Sequence, residues 1–266
     1  MAKRRKKKKR DHSALAAVLA LVLVGAALCR ELAAPPADLA DLPPYDGAAC
    51  VTMGDGVPDF EVSERVTAAF ETYSELDALG RCGPAYANVC RELMPAEERG
   101  AIGMVKPSGW HTVKYDCVDG KYLYNRCHLI GYQLTGENAE ERNLITGTRY
   151  LNIQGMLPFE DLVADYVQDT GNHVLYRVTP VFEGTDLLAR GVRMEGWSVE
   201  DNGAGVCFDV FCYNVQPGVA IDYADGSSWE ETAGETAETK EAAVPWVPYL
   251  RRGAALVQEW LEKWAA

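Results

Sequence analysis

Apolar and polar positions alternate most clearly between residues 173 and 215. Residues 173–182 (HVLYRVTPVF), 188–199 and 206–215 (VCFDVFCYNV) each read as a strand, rich in Val, Tyr and Phe. Glu183-Gly184 and Asp201-Asn202-Gly203 supply the turns between them, so the three predict an antiparallel meander. Earlier in the chain, Trp110 to Asp116 alternates moderately, Asp119-Gly120 is a hairpin turn signal, and Tyr122 to Ile130 reads as the return strand. A polar loop from Thr135 to Arg142 follows, and Leu157 to Val167 then reads as a helix with Pro158 near its first turn. Upstream, Glu64 to Leu79 predicts a helix stopped at Gly80. The order is helix, β-hairpin, loop, helix, β-meander. It predicts an α+β fold with a mostly antiparallel sheet flanked by helices.

The flanks have a different pattern. Eight basic residues at positions 3–10 precede an uncharged apolar run from Ala14 to Cys29. Sixteen apolar residues after a basic cluster predict an export signal or a membrane anchor over residues 1–29, with the cluster on the cytoplasmic side and the body of the chain outside. A Pro/Ala-rich spacer is expected over residues 30–45 and the globular domain over 46–225. An acidic Ser/Glu/Thr/Ala-rich linker is expected over 226–243, and a short helix at Leu250–Trp264 within a C-terminal segment of residues 244–266.

Charge changes the picture in one place. Of the 26 basic side chains, eight lie in residues 3–10, which leaves 18 against 39 acids in the remainder. Residues 101–156 depart from this excess, with six Lys/Arg against five acids. A polyanion would be repelled by most of the surface and tolerated best there.

That same region carries the candidate chemistry. Asn125-Arg126-Cys127-His128 ends a predicted strand, and His128 offers an imidazole with an ordinary pKa near 6.5, suited to general-base work. Arg126, two residues earlier, points to the same face of the strand and presents a planar fork that fits a phosphate. Asn143, Asn152 and Glu160 follow around the predicted helix. Amide and carboxylate oxygens suit a hard cation that keeps most of its waters, such as Mg²⁺. Taken singly, these residues have plain structural readings: a satisfied strand histidine, two helix caps and a solvated first-turn acid. Their combination at this spacing points to phosphodiester chemistry.

At these residues the sequence resembles the DNA/RNA non-specific endonucleases of the ββα-metal (His-Me finger) class, and within it the secreted and membrane-anchored branch of Gram-positive bacteria. The stretch YNRCHLIGYQLTGENAEERNLITGTRYLNIQGMLPFE carries the resemblance, which extends over about Val51 to Tyr223. The resemblance implies a ββα core acting on DNA and RNA with a Mg²⁺ cofactor, for which Mn²⁺ could substitute. It makes His128 the base that activates water and Arg126 a phosphate contact. Asn143 becomes an active-site amide, Asn152 the direct metal ligand, and Glu160 a holder of metal-bound water. It also implies cleavage outside the cell, leaving 5′-phosphate ends. The family motif Asp-Arg-Gly-His stands here as Asn125-Arg126-Cys127-His128, so one negative charge is missing at Asn125 and the backbone at Cys127 does not need positive φ. A family arginine upstream of the motif has no unambiguous counterpart, with Lys106 or Lys114 as candidates for the substrate phosphate.

Seven of the eight cysteines lie beyond the apolar run. Cys82 with Cys127 or Cys90 are candidate bridges. Cys207 and Cys212 sit five apart on one strand, face opposite sides and cannot pair with each other. Two other function classes remain open from sequence: a surface-binding or adhesion module, and a thiol enzyme using Cys127 beside His128. Neighbouring strand residues point to opposite faces, which disfavours the second. The sequence leaves the oligomeric state open.

Overall fold

A computed structural model describes residues 42–231, and the account that follows concerns these residues. The expected export segment and C-terminal helix, with nearly all of the spacer and most of the acidic linker, lie outside them. No helix among the described residues is long and apolar enough to cross a membrane.

The strands are β1 (Cys50–Thr52), β2 (Phe70–Tyr73), β3 (Ala85–Val89), β4 (Tyr124–His128), β5 (Leu144–Thr148), β6 (Val174–Val181), β7 (Gly191–Ser198), β8 (Cys207–Tyr213), β9 (Val219–Ile221) and β10 (Ser228–Glu230). Two α-helices accompany them, the single turn α1 (Tyr132–Thr135) and α2 (Leu157–Thr170). Six strands form one antiparallel sheet in the order β1-β8-β7-β6-β3-β2, while β4 pairs with β5 and β9 with β10. The β6-β7-β8 meander matches the sequence expectation, and the fold is α+β with a mostly antiparallel sheet.

Strand alternation gives the sheet two unlike faces. Val174, Tyr176 and Val178 of β6, Val192 and Met194 of β7, and Phe208, Val210 and Cys212 of β8 belong to the main core. Cys127 of β4, Ile145 of β5, and Val163, Ala164 and Val167 of α2 pack in the same core. Each Val, Ile, Met or Phe among these, when fully buried, contributes roughly 1.5–3 kcal/mol. Intervening positions carry charge: Arg177 grips Glu195 with two hydrogen bonds of 2.7 Å, and Arg193 binds Asp209 across β7 and β8. Phe60 lies over the Arg177 guanidinium at 4.8 Å, so the upstream loop covers part of this charged face.

Three local expectations are corrected. The helix over Glu64–Leu79 is absent: a 3₁₀ turn at Val62–Glu64 is followed by edge strand β2, and β3 beyond it is another unpredicted strand. Pairing of Phe70–Tyr73 with β3 supplies the tertiary contacts that override the helical propensity of this polar stretch. The Trp110–Asp116 segment does not pair with the motif strand Tyr124–His128; what forms of that hairpin is its turn end, with the Lys114–Tyr122 bridge and the bonds Tyr115 N to Lys121 O and Leu123 N to Val113 O. The partner of β4 is β5, reached through the loop 129–143. Finally, β10 lies where linker was expected.

The cysteine pairing is also corrected. Cys50 and Cys212 are directly opposed on β1 and β8 and form a disulfide, whereas Cys82, Cys90 and Cys127 are buried free thiols.

Candidate functional site

β4 and β5 carry the site because side chains on one edge face open space while Cys127 and Ile145 anchor the pair in the core. Cys127 is accommodated by a glycine on the neighbouring strand: a Cβ at Gly147 would lie 2.4 Å from Cys127 Sγ. Its φ is not positive, in keeping with replacement of a glycine. Cys127 is fully buried and does not line the cavity, and burial pushes its thiol pKa up, all of which count against the thiol-enzyme reading.

Asn143 holds the exit of β4. Its Oδ1 accepts from Ile130 N at 2.8 Å and its Nδ2 donates to Ile130 O at 2.9 Å. The side chain is fully buried and does not line the cavity, so its direct role is to fix the backbone two residues beyond His128. Asn214, which sequence reasoning missed, does similar work on β5. Its amide accepts from Thr148 N at 2.8 Å and donates to Thr146 O and Ala189 O, joining the β4-β5 pair to the meander.

A π-helix at Leu151–Met156 leads into α2 and carries Asn152. In a regular α-helix, residues eight apart are offset by roughly 80°. The wider π turn reduces that offset, and both Asn152 and Glu160 line the same cavity. Pro158, without an N–H, sits at the first turn of α2 where the helix changes pitch.

The cavity has a volume of about 600 Å³, within the common range for ligand sites. His128, Arg126, Asn152 and Glu160 share its wall with Asn125, Arg99, Arg149, Trp110 and Tyr122. His128 Nε2 lies 2.9 Å from Asn138 O. A carbonyl only accepts, so Nε2 bears the proton and Nδ1 carries the lone pair. Arg99 Nη2 lies 3.2 Å from that Nδ1. Burial, reinforced by the Arg99 charge, lowers the His128 pKa to about 4, against the opposing bonds to the Asn138 and Glu137 backbone. His128 is therefore neutral near pH 7, the state a general base requires.

Glu160 and Asn152 are the groups without partners. Neither side chain makes a hydrogen bond or ion pair among the described residues. Burial pushes the Glu160 pKa up to about 8, helped by Asp161 and opposed by Arg99. Its carboxylate packs against Gly131, where a Cβ would lie 2.6 Å from Oε2, so a larger residue there would displace it. A half-buried, unpaired carboxyl group and an unpaired amide in one cavity suit a cation. No cluster of three or more His, Cys, Asp or Glu forms a metal cage among the described residues. The donor set therefore fits a hard divalent ion that retains water.

The remaining expected residues are placed differently. Arg126 lines the wall, but its Nε and Nη2 donate to Val105 O and Gly103 O and its guanidinium stacks 3.9 Å from the Trp110 ring. It pins the 103–105 loop in place. Lys106 is exposed and outside the wall, and Lys114 reaches the site only through the Tyr122 ring, 4.3 Å from its Nζ. The upstream cation beside the base is Arg99, which sequence reasoning missed because nothing about its spacing marks it. Arg99, Arg126 and Arg149, the last paired with Asp119, all line a cavity of an otherwise acidic protein, a field suited to a polyanion.

Known proteins with a similar fold include nucleases. NucA from Streptococcus agalactiae with a magnesium ion bound is 25% identical with a TM-score of 0.60, over 68% of this chain and 86% of that one. The same nuclease with no metal bound gives 25% identity and a TM-score of 0.63, over 73% and 92%. Sda1 nuclease with a bound zinc ion shares the fold at 24% identity, with a TM-score of 0.59 over 69% and 97%. Residues 61–200 match the family model described as DNA/RNA non-specific endonuclease. That match spans the site, the π turn and the central strands, and the chain belongs to the DNA/RNA non-specific endonuclease family.

Proposed function

We propose that this nuclease is a Mg²⁺-dependent, sugar- and sequence-non-specific endonuclease that cleaves DNA and RNA outside the cell and leaves 5′-phosphate ends. One observation carries the reading: a neutral histidine whose Nδ1 accepts from an arginine, in the same cavity as an unpartnered carboxyl and amide.

Asn152 would hold the ion directly and Glu160 through water. When bound, Mg²⁺ supplies positive charge that offsets the negative charge growing on the phosphate and the leaving oxygen. The Nδ1 lone pair accepts from Arg99 in this structure, so Arg99 must turn onto the substrate phosphate before Nδ1 can take the proton of the attacking water; the Asn138 carbonyl keeps Nε2–H in place and stabilises the imidazolium that forms. Arg99, already beside Nδ1, is positioned to share the phosphate charge. Arg126, stacked on Trp110, holds the flanking loop in place, and Asn143 holds the strand end that bears His128.

Nothing in this mechanism reads a base edge, which supports weak sequence preference. Action outside the cell is supported by the basic and apolar N-terminal pattern and by the Cys50–Cys212 disulfide, a bond that persists in oxidising compartments. The test is incubation of the purified protein with plasmid and with RNA, with Mg²⁺ or EDTA, followed by end analysis. Mg²⁺-dependent cleavage of both, leaving 5′-phosphates, is expected. Undiminished cleavage in EDTA would remove the cation from the account.

A further inference from the structure

The wall of the cavity contains an aromatic side chain that the hydrolytic mechanism does not use. Tyr122 lines the cavity, yet 49% of the residue is open to solvent, making it one of the larger exposed apolar groups of the described protein. Lys114 Nζ lies 4.3 Å from its ring centroid, a cation held against the π-system. The backbone that presents it is unusual. Lys121, the residue just before it, has φ 68°, and only Asn202 among the other described non-glycine residues has a positive φ. Asn tolerates that conformation through its short polar side chain, while Lys has no such compensation. The Lys114–Tyr122 bridge then fixes the strand position from which the ring projects.

An exposed aromatic beside a lysine, presented by a strained turn into a phosphodiester-cleaving cavity, matches the two needs of single-stranded nucleic acid: a face for a base and a cation for the neighbouring phosphate. We propose that Tyr122 is a stacking platform for an unpaired base next to the scissile phosphate, so that the enzyme prefers single-stranded over duplex substrate. This rests on the nuclease reading above and names the substrate form of that same site. The preference follows from stacking itself. In a duplex both faces of each base are already covered, so a base must leave its stack and its partner before it can lie on Tyr122. In a single strand it reaches the ring at little cost.

The experiment compares kcat/KM on an end-labelled single-stranded oligonucleotide and on the same strand in a blunt duplex, with Mg²⁺ present. Wild type should favour the single strand by about tenfold or more, as expected for one base stack. Tyr122→Ala and Tyr122→Leu should lower that ratio about tenfold, mainly through KM on the single strand, because neither side chain offers a π face. Tyr122→Phe should keep it. A second readout does not need turnover. In a His128→Ala background, single-strand binding followed by fluorescence anisotropy should weaken by a similar factor when Tyr122→Leu is added. Equal wild-type kcat/KM on both forms, or an unchanged ratio in the Ala and Leu variants, would overturn the proposal while leaving the nuclease reading intact. A wild-type protein that cleaves neither substrate would instead count against the nuclease reading, and the anisotropy series would then judge the platform alone.

Discussion

Two groups on the wall of one cavity are driven in opposite directions by desolvation. His128 is held neutral, with its pKa lowered to about 4, while the Glu160 carboxyl is pushed up to about 8. For His128 the sign is simple: the base is competent above its folded-state pKa, so the acidic limb of the kcat/KM profile of wild type should fall below pH 6.5. A limb well above 6.5 would mean that the residue titrating is another group. For Glu160 the folded-state pKa lies above its ordinary 4.5, so its contribution to stability is complete below pH 4.5 and lost as pH rises through about 8. Cation-free protein should accordingly lose stability over that window and regain it on adding Mg²⁺. Near pH 7 the carboxyl is largely protonated, so cation binding should release close to one proton. Calorimetry in buffers of different ionisation enthalpy reads that release, and binding with no proton release would show that Glu160 does not face the ion. That His128, Asn152 and Glu160 meet in one cavity could be anticipated from residue type, spacing and the family resemblance. Arg99 could not, since it reaches His128 only through a loop whose path is set by tertiary contacts.

The β4-β5 pair with the π turn and α2 places these residues, and its fine geometry depends on side chains that resemble ordinary core or loop residues in sequence. Removing the Asn143 amide would strand both polar groups of Ile130 in the interior. Asn143→Ala should therefore cost about 1–3 kcal/mol in denaturant unfolding. It should also lower kcat, because the end of β4 is no longer fixed. Gly131→Ala acts on the other side of the cavity by crowding the Glu160 carboxylate. The Mg²⁺ concentration needed for half-maximal activity should rise by about tenfold or more, the usual cost of disturbing the support of a metal site. An unshifted Mg²⁺ requirement would detach Glu160 from the ion. The predicted hairpin failed here for a physical reason. Asp119-Gly120 is a genuine local turn, with Gly120 at φ 68° and Tyr115 N bonded to Lys121 O. Local turn chemistry does not specify which strand pairs with β4, and the long-range contacts of β5 with Asn214 and the meander decide that.

Across the whole molecule, the six-stranded sheet serves as a platform whose apolar face receives the site-bearing elements. The meander was plain in the sequence because both its alternation and its turns are local. β1, β2 and β3 were not, because each is short and acquires its structure from strands far away in sequence. The disulfide depends on the same long-range register: Cys50 and Cys212 face each other only once β1 has paired with β8. Cys212→Ser should lower unfolding free energy by about 2–5 kcal/mol without abolishing activity under native conditions. A variant with unchanged stability would mean that the bond does not form in the mature protein. The central claim, that His128 is the base of a phosphodiester-cleaving centre, is tested most directly by His128→Gly in a plasmid-nicking assay with Mg²⁺, with and without added imidazole. The account predicts a loss of about 10²-fold or more, with part of the rate restored by imidazole filling the place of the missing side chain. Near-wild-type nicking by that variant would contradict it.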